Sequence, residues 1–131
     1  FSMSLTILKA QEETVIKIDS QQASKSEIFI NVEQKPKFPG GKEGLMKFYK
    51  KTSSFSICHK NKDNCKTLYY QIVIDTTGKV EDFKIIKGIN KKLNNETERI
   101  VKKMPKWTPG KEKGKQVKVL VTLSIKYKLN K

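Results

Sequence analysis

The chain has 131 residues, of which 36% are hydrophobic, 31% charged and 8% aromatic, and this length fits one domain but not two. No apolar run in it approaches the roughly 20 residues that span a bilayer, which excludes a complete transmembrane helix within these residues. The formal net charge is +15, from 28 basic and 13 acidic residues, yet Arg99 is the sole arginine. Arginine grips phosphates and base edges in two places at once, whereas lysine is a hydrated point charge, so the composition disfavours a dedicated nucleic-acid reader.

The sequence predicts an amino-terminal segment over residues 1–33 and a folded domain over residues 34–131. The first apolar residues alternate with polar ones, as in a half-buried strand, and the same stretch also resembles the end of a secretory signal. Both alternatives stay open. The alternating residues are Phe1, Met3, Leu5 and Ile7. Residues 19–27 are polar, short-chained and without periodicity, which is typical of a linker.

Hydrophobic periodicity predicts the elements of the chain in the order strand, helix, strand, strand, helix, strand. The predicted strands cover residues 28–32, 68–74, 80–87 and 117–129, and the predicted helices cover residues 42–51 and 93–104. The second of these strands is apolar on both faces, which is typical of the middle of a sheet. This order predicts an α+β fold, an antiparallel β-sheet with two helices packed on one face.

Several residues predict where these elements turn or end. Asn94 or Asn95 is placed to cap the second helix, and Pro105 ends it. The imperfect alternation after the central hairpin predicts a β-bulge. Trp107, between two prolines, is predicted to anchor the following loop on the core. Five glycines are predicted turn formers because glycine adopts positive φ without penalty. They are Gly40, Gly41, Gly78, Gly88 and Gly110.

The carboxy-terminal strand alternates apolar and polar residues and therefore has one wet face. Antiparallel pairing would place it beside residues 68–74, so its other side is a sheet edge unless an amino-terminal strand covers it. Lysines lie near both ends of this strand, whereas its middle is uncharged, and lysines discourage edge-to-edge pairing. The predicted partner-binding residues are Lys118, Val119, Leu120, Val121, Thr122, Leu123 and Ser124. A receptor peptide, a second copy of the chain or the chain's own Leu5–Ile18 segment could each supply the docking strand.

Two cysteines, Cys58 and Cys65, enclose a short polar loop with the only histidine, His59. Zinc needs four ligands, or three and a water, and this loop provides too few unless Asp63 joins them. A disulfide is the preferred interpretation, with free thiols and a metal site as the alternatives. Neighbouring Cys and His side chains rarely face each other, so a nucleophilic pair is disfavoured. We therefore predict no catalytic site, no metal and no cofactor.

Five phrases of the sequence follow one another in a fixed order. They are Pro36-Lys37-Phe38-Pro39-Gly40-Gly41, Val73-Ile74-Asp75-Thr76-Thr77-Gly78-Lys79-Val80, Ile86-Lys87-Gly88-Ile89, Met104-Pro105-Lys106-Trp107-Thr108-Pro109-Gly110, and Gly114-Lys115 before the last strand. The last two phrases, followed by a strand, are specific in combination. With these phrases the chain resembles the carboxy-terminal domain of TonB-family energy transducers, in the version common in Bacteroidota, over about residues 34–129. Residues 52–67 depart from the family pattern.

The resemblance implies a non-enzymatic interaction module that works in the periplasm, or is secreted, and takes part in TonB-dependent transport. Its partner would be an extended peptide of an outer-membrane transporter, the TonB box, captured by strand addition to the sheet. A homodimer would use the same kind of pairing. Nucleic acid is not an expected partner of such a module. The alternative is a secreted basic protein that binds an anionic partner, namely nucleic acid, lipopolysaccharide or an acidic protein, and the net charge supports it.

Overall fold

A computed structural model of the chain describes residues 27–58 and 64–129. The predictions for residues 1–26, and for the loop that contains His59 and Asp63, concern residues outside this described part. The elements are β1 (Ile28–Phe29), α1 (Gly41–Thr52), β2 (Cys65–Ile74), β3 (Val80–Lys87), α2 (Lys91–Lys102), β4 (Gly110–Glu112) and β5 (Lys115–Lys128). No helix in the described ranges has the length and apolar character needed to cross a membrane.

The sheet has the strand order β1-β5-β2-β3, and β4 pairs with the beginning of β5. The α+β prediction is confirmed, and β2 lies between β5 and β3 as predicted, antiparallel to both. The sheet is mixed, however, because β1 runs parallel to β5. β1 is also shorter than the predicted strand over residues 28–32. The chain leaves β5 after Phe29, and Gln34 exchanges backbone hydrogen bonds with Lys111 instead.

The core lies between the sheet and the two helices. It contains the side chains that alternate toward the helices along β2 and β5, together with the inward faces of α1 and α2. Its fully buried members include Tyr49, Leu68, Tyr70, Ile72, Ile74, Ile100, Ile125 and Tyr127. Full burial of a large apolar side chain contributes roughly 1.5–3 kcal/mol, so this layer dominates the stability of the sheet. A smaller cluster packs β1 on the first half of β5 through Phe29, Val117 and Val119.

The β2–β3 hairpin turn is fastened to the loop after α2. Asp75 Oδ1 accepts hydrogen bonds from the backbone N–H groups of Thr77 and Lys79, which closes the turn. Gly78 has φ 95°, and its carbonyl oxygen accepts a hydrogen bond from the N–H of Trp107 at 2.8 Å. The Trp107 side chain is 5% exposed and meets the Phe38 ring edge-on. The anchoring role predicted for this tryptophan is confirmed.

The predictions for two glycines and for the N-cap of α2 were wrong. Gly88 and Gly110 do not have positive φ. A Cβ at Gly88 would lie 2.5 Å from the side-chain oxygen of Asn94, and one at Gly110 would crowd β5, so space rather than backbone conformation selects glycine. Asn90 caps α2, because its side chain accepts a hydrogen bond from the N–H of Leu93. Asn94 instead accepts a hydrogen bond from the N–H of Ile89 and fixes the loop before the helix.

An ion pair fastens the end of α1 to α2. The Arg99 guanidinium forms two hydrogen bonds with the Glu96 carboxylate, at 3.0 and 2.8 Å, and a third with the carbonyl oxygen of Thr52. Glu96 is 7% exposed and also accepts a hydrogen bond from the N–H of Ser54. The hydrogen bonds from Arg99 hold the pKa of Glu96 below its ordinary value. The single arginine of the chain therefore joins two helices.

Replacing Glu96 with glutamine should make stability less sensitive to acid. Because the folded-state pKa of Glu96 is depressed, its carboxylate stabilises the fold above its unfolded pKa, and this contribution disappears as pH falls through the folded pKa. We expect Glu96→Gln to cost about 1–2 kcal/mol near neutral pH. In urea titrations the difference between wild type and variant should shrink as the pH falls below the ordinary range of a glutamate. A difference that stays equal from neutral to acidic pH would contradict this assignment.

The disulfide prediction is confirmed, since the structure joins Cys58 and Cys65. The bond connects the first residue of β2 to the segment before the loop, with Cα atoms 6.2 Å apart. Cys58 also donates its backbone N–H to the carbonyl oxygen of Lys126 on β5. The bond thus holds a short segment against the sheet.

Removing this disulfide with the pair Cys58→Ser and Cys65→Ser should destabilise the fold by about 2–3 kcal/mol, because the bond restricts a short loop of the unfolded chain. Guanidinium titration measures the loss, and reduced wild type is the matched control. Thiol counting on denatured, non-reduced protein should find no free thiol. Two reactive thiols in freshly isolated native protein would contradict the bond.

Candidate functional site

The backbone of β5 turns alternate residues toward β2 and toward the opposite side. The N–H of Leu129 donates to the carbonyl oxygen of Asn64, which continues the β2 ladder, so odd-numbered residues of β5 bond to β2. The carbonyl of Lys126 and the N–H of Lys128 instead bond to Cys58 and Ser56 on the other side. The register of β2 and β5 is continuous over ten residue pairs, so this alternation holds along the strand.

Short segments cover both ends of this outer side. At the amino-terminal end, Ile28 and Phe29 lie opposite Lys118 and Val119 in parallel pairing. At the carboxy-terminal end, Ile57 forms a bridge with Tyr127, flanked by the two hydrogen bonds to Cys58 and Ser56. Within residues 27–58 and 64–129, no residue is registered opposite the outer side of β5 between positions 120 and 125. We call this six-residue stretch the open edge.

Three residues of the open edge direct backbone groups away from β2: Leu120, Thr122 and Ser124. The N–H of Leu120 faces the carbonyl oxygen of Phe29 in the parallel β1 pairing, so the outward groups that remain for an added strand are centred on Thr122. Thr122 lies at the centre, and its side-chain oxygen accepts a hydrogen bond from the Gln71 amide on the open face of the sheet. Its backbone N–H and C=O point out of the sheet. Unpaired strand groups of this kind form a ready template for another strand. The open edge is therefore the part of β5 that can extend the sheet.

A groove of about 380 Å³ lies between the open edge and α1. Helix α1 provides one wall and the edge of β5 the other. The lining residues are Lys42, Leu45, Met46, Tyr49, Tyr69, Thr122, Leu123 and Ser124. Met46 and Tyr69 are 37% and 42% exposed, which is unusual for such large apolar side chains. An added strand would place alternate side chains against this largely apolar wall.

Two tyrosine hydroxyls connect α1 to the open edge. Tyr49 donates its hydroxyl proton to the carbonyl oxygen of Ser124 at 3.1 Å. Because the Tyr49 hydroxyl has one proton, the hydroxyl of Tyr70 must donate in the 2.6 Å contact between the two rings. Burial raises the pKa of both groups well above the ordinary tyrosine value, so both stay neutral. This chain fixes the distance between helix and edge.

A third tyrosine extends this buried polar layer to α2. The hydroxyl of Tyr127 lies 2.8 Å from that of Thr97, which itself donates to the carbonyl oxygen of Leu93. Burial raises the pKa of Tyr127 to about 12, so its hydroxyl is neutral at physiological pH. Both helices are thus hydrogen-bonded to side chains or backbone of β5. These hydrogen bonds hold β5, and with it the open edge, in place against the two helices.

The opposite edge of the sheet, along β3, has no paired strand among the described residues and is less suited to strand addition. The pairing of β2 with β3 contains two register shifts, and Asp82 has φ 46°. Such irregularities bend a strand and interrupt its row of outward groups. The bulge predicted for this hairpin partner is confirmed. Lys84 and Lys87 add charge to the same strand. The middle of β5, by contrast, is regular and uncharged.

The seven predicted partner-binding residues differ in the direction of their backbone groups. Leu120, Thr122 and Ser124 direct their backbone groups outward, and Lys118 lies opposite β1 with its ammonium 3.3 Å from Glu81. The remaining three bond to β2 through their backbone, and their side chains face the helices. They are Val119, Val121 and Leu123. Sequence reasoning did not identify Leu45, Met46 and Tyr49 as part of the site, since the helical spacing of Leu45 and Tyr49 indicates only core and no pattern distinguishes Met46.

Comparison with protein families agrees with the architecture. A family model described as the Gram-negative bacterial TonB protein C-terminal matches residues 60–129, which is more than half of the chain. The chain belongs to this family. The resemblance to the TonB family is therefore confirmed over these residues, and its Bacteroidota version stays a prediction. Searches of the curated proteins and of the solved structures returned no match.

The TonB C-terminal family is a family of protein-interaction domains and not a family of enzymes. The matched span contains β2, β3, α2, β4 and β5, and thus the whole open edge. Helix α1, which forms the other wall of the groove, precedes the matched residues. In this chain the strand edge therefore belongs to the matched family span, whereas the helix on the other side of the groove lies outside that span.

Proposed function

We propose that this domain captures an extended peptide from an outer-membrane transporter by strand addition at the open edge of β5. The observation that carries the proposal is the gap between two short covering segments, which leaves the outward backbone groups of Thr122 unpaired in the described structure. The family supports the class of partner, a TonB-dependent transporter. The place of action would be the periplasm.

The dimensions of the open edge favour a short peptide. Six residue positions along a strand span about 20 Å, enough for a five- or six-residue strand. β1 and the Ser56–Cys58 segment would limit the added strand at either end. Main-chain hydrogen bonds would provide much of the affinity, and the groove beside α1 would select alternate apolar side chains. The peptide should therefore be short, extended and apolar on one face.

A binding experiment tests this proposal and separates it from the anionic-partner alternative, which the charge of +15 supports. Immobilised domain would be incubated with peptides that cover the amino-terminal extensions of outer-membrane transporters encoded in the same genome. Strand addition should survive an increase from low to physiological salt with less than about a threefold loss. Heparin serves as the anionic control, and its binding should fall steeply with salt.

Failure of every transporter peptide to bind, together with salt-sensitive heparin binding, would contradict strand capture and favour the anionic partner. Peptide binding that requires the unmodified edge would support it.

A further inference from the structure

We propose that the chain's own Thr14–Ile18 segment adds to the open edge as an antiparallel strand and competes with external peptides. These residues precede the described structure, and three of them, Val15, Ile16 and Ile18, are β-branched and apolar. The inference rests on the proposed function only in using the same edge. It adds regulation of that edge by a tethered strand.

The tether between this segment and the sheet is short. Ile28 already lies opposite Lys118 on the outer side of β5, next to the open edge. Residues 19–27 connect Ile18 to Ile28, and nine residues can extend over about 30 Å. With Ile18 opposite Val121, the two ends are separated by three strand positions, or about 10 Å. The polar, small residues of this linker suit the single reversal that the path requires.

The direction of the segment follows from the same distances. An antiparallel strand would end near Val121, close to where β1 begins. A parallel strand would end near Ile125, about 23 Å along β5 from Lys118, so that the linker would have to span about three quarters of its extended length and also reverse direction. The antiparallel arrangement therefore restricts the conformation of the linker less.

One register satisfies both the length of the open edge and the faces of the sheet. It places Thr14 to Ile18 opposite Ile125 to Val121, which fills the gap without displacing β1. Directly opposite residues of antiparallel strands have side chains on the same face. Ile16 would lie beside Leu123, and Ile18 beside Val121, so both isoleucines point toward the helices. Ile16 would enter the groove formed with Leu45 and Met46.

Charge supports this register. Glu12 and Glu13 immediately precede the segment and would lie at the carboxy-terminal end of β5. That end carries Lys126 and Lys128. Because the Ser56–Cys58 segment already bonds to the backbone of these two lysines, the two carboxylates would lie beside them as a favourable nearby charge and not as cross-strand partners. A parallel strand would place the two acidic residues at the other end, next to β1.

The register makes Lys17 the direct partner of Thr122. Its N–H and C=O would exchange hydrogen bonds with the backbone of Thr122, while its side chain would lie on the open face. A Lys17→Pro variant of the full chain removes that N–H and clashes with a paired strand. Lys17→Ala keeps the N–H and is the matched control. Both changes lie outside the described fold.

Amide hydrogen exchange followed by NMR tests the pairing. In wild type and in Lys17→Ala the Thr122 amide should exchange at least about tenfold more slowly than in Lys17→Pro, independently of protein concentration. A labelled peptide with the sequence of residues 12–18 should bind Lys17→Pro about tenfold more tightly, because a tether supplies an effective concentration near the millimolar range.

Equal exchange in all three proteins would overturn the proposal, and protection that rises with protein concentration would assign the edge to a second copy instead. Binding of transporter peptides tests the proposed function separately. If they bind while Thr122 is unprotected in wild type, only the tethered strand is wrong. If Lys17→Pro releases Thr122 yet binds no transporter peptide, the tethered strand stands and the proposed function is wrong.

Discussion

Replacing Gly78 with alanine should destabilise the domain by more than about 3 kcal/mol, a large fraction of the 5–15 kcal/mol typical of a small domain. Two effects add. The φ of 95° is unfavourable for any residue with a Cβ. In addition, the new Cβ would collide with the backbone carbonyl oxygen of Trp107, which cannot move without breaking the contact between the hairpin turn and the loop. Urea unfolding measures the loss.

Gly114 offers a matched control for this prediction. Its φ is 78°, but a Cβ there would meet no atom within 4 Å. Gly114→Ala should therefore cost only the backbone conformation, about 1–2 kcal/mol. The collision at Gly78 is the difference between the two variants. Equal losses would show that the hairpin turn and the Trp107 loop are not in close contact.

Proline at Thr122 should reduce binding of an external peptide by about 100-fold or more, which corresponds to about 2.7 kcal/mol. The N–H of Thr122 points out of the sheet, so its removal leaves the ladder with β2 intact. The proline ring would obstruct an added strand and remove a donor. Fluorescence anisotropy measures affinity, and circular dichroism confirms folding. Thr122→Val, which keeps the N–H, should bind like wild type.

The neighbouring position tests whether the direction of the N–H explains this result. The N–H of Leu123 faces β2, opposite Tyr70. Leu123→Pro should therefore break the central ladder and destabilise the fold by about 2–4 kcal/mol. A Leu123→Pro variant as stable as Thr122→Pro would mean that the assigned alternation of β5 is wrong.

The sequence predicted the regular elements well, because their hydrophobic periods are long. Both helices, the central strand and the last strand follow from side-chain alternation that tertiary contacts reinforce. The pairing of β1 was not predictable. Alternation predicted a strand over residues 28–32, but two paired residues hold too little pattern to define where the pairing stops, and their parallel direction depends on Gln34 turning away to bond with Lys111. The three-residue β4 escaped prediction for the same reason.

The candidate site was predictable only in part. Alternation and charge along residues 117–129 indicated an edge strand with an uncharged middle. Which backbone groups point outward depends on the register with β2, and no local pattern encodes it. The groove was not predictable either, because Leu45 and Tyr49 follow the helical period of a core face and no pattern distinguishes Met46. The partial exposure of Leu45 and Met46 results from the position of α1 beside the edge, which the hydroxyl of Tyr49 holds.

Backbone NMR of the labelled domain during titration with a bound transporter peptide tests strand capture most directly. Each outward amide of a strand edge shifts and becomes protected from exchange only when a new strand pairs with it. The account predicts that Thr122 and Ser124 change most and that residues 80–87 of β3 do not change. Protection that appears along β3, with Thr122 unaltered, would contradict capture at the open edge.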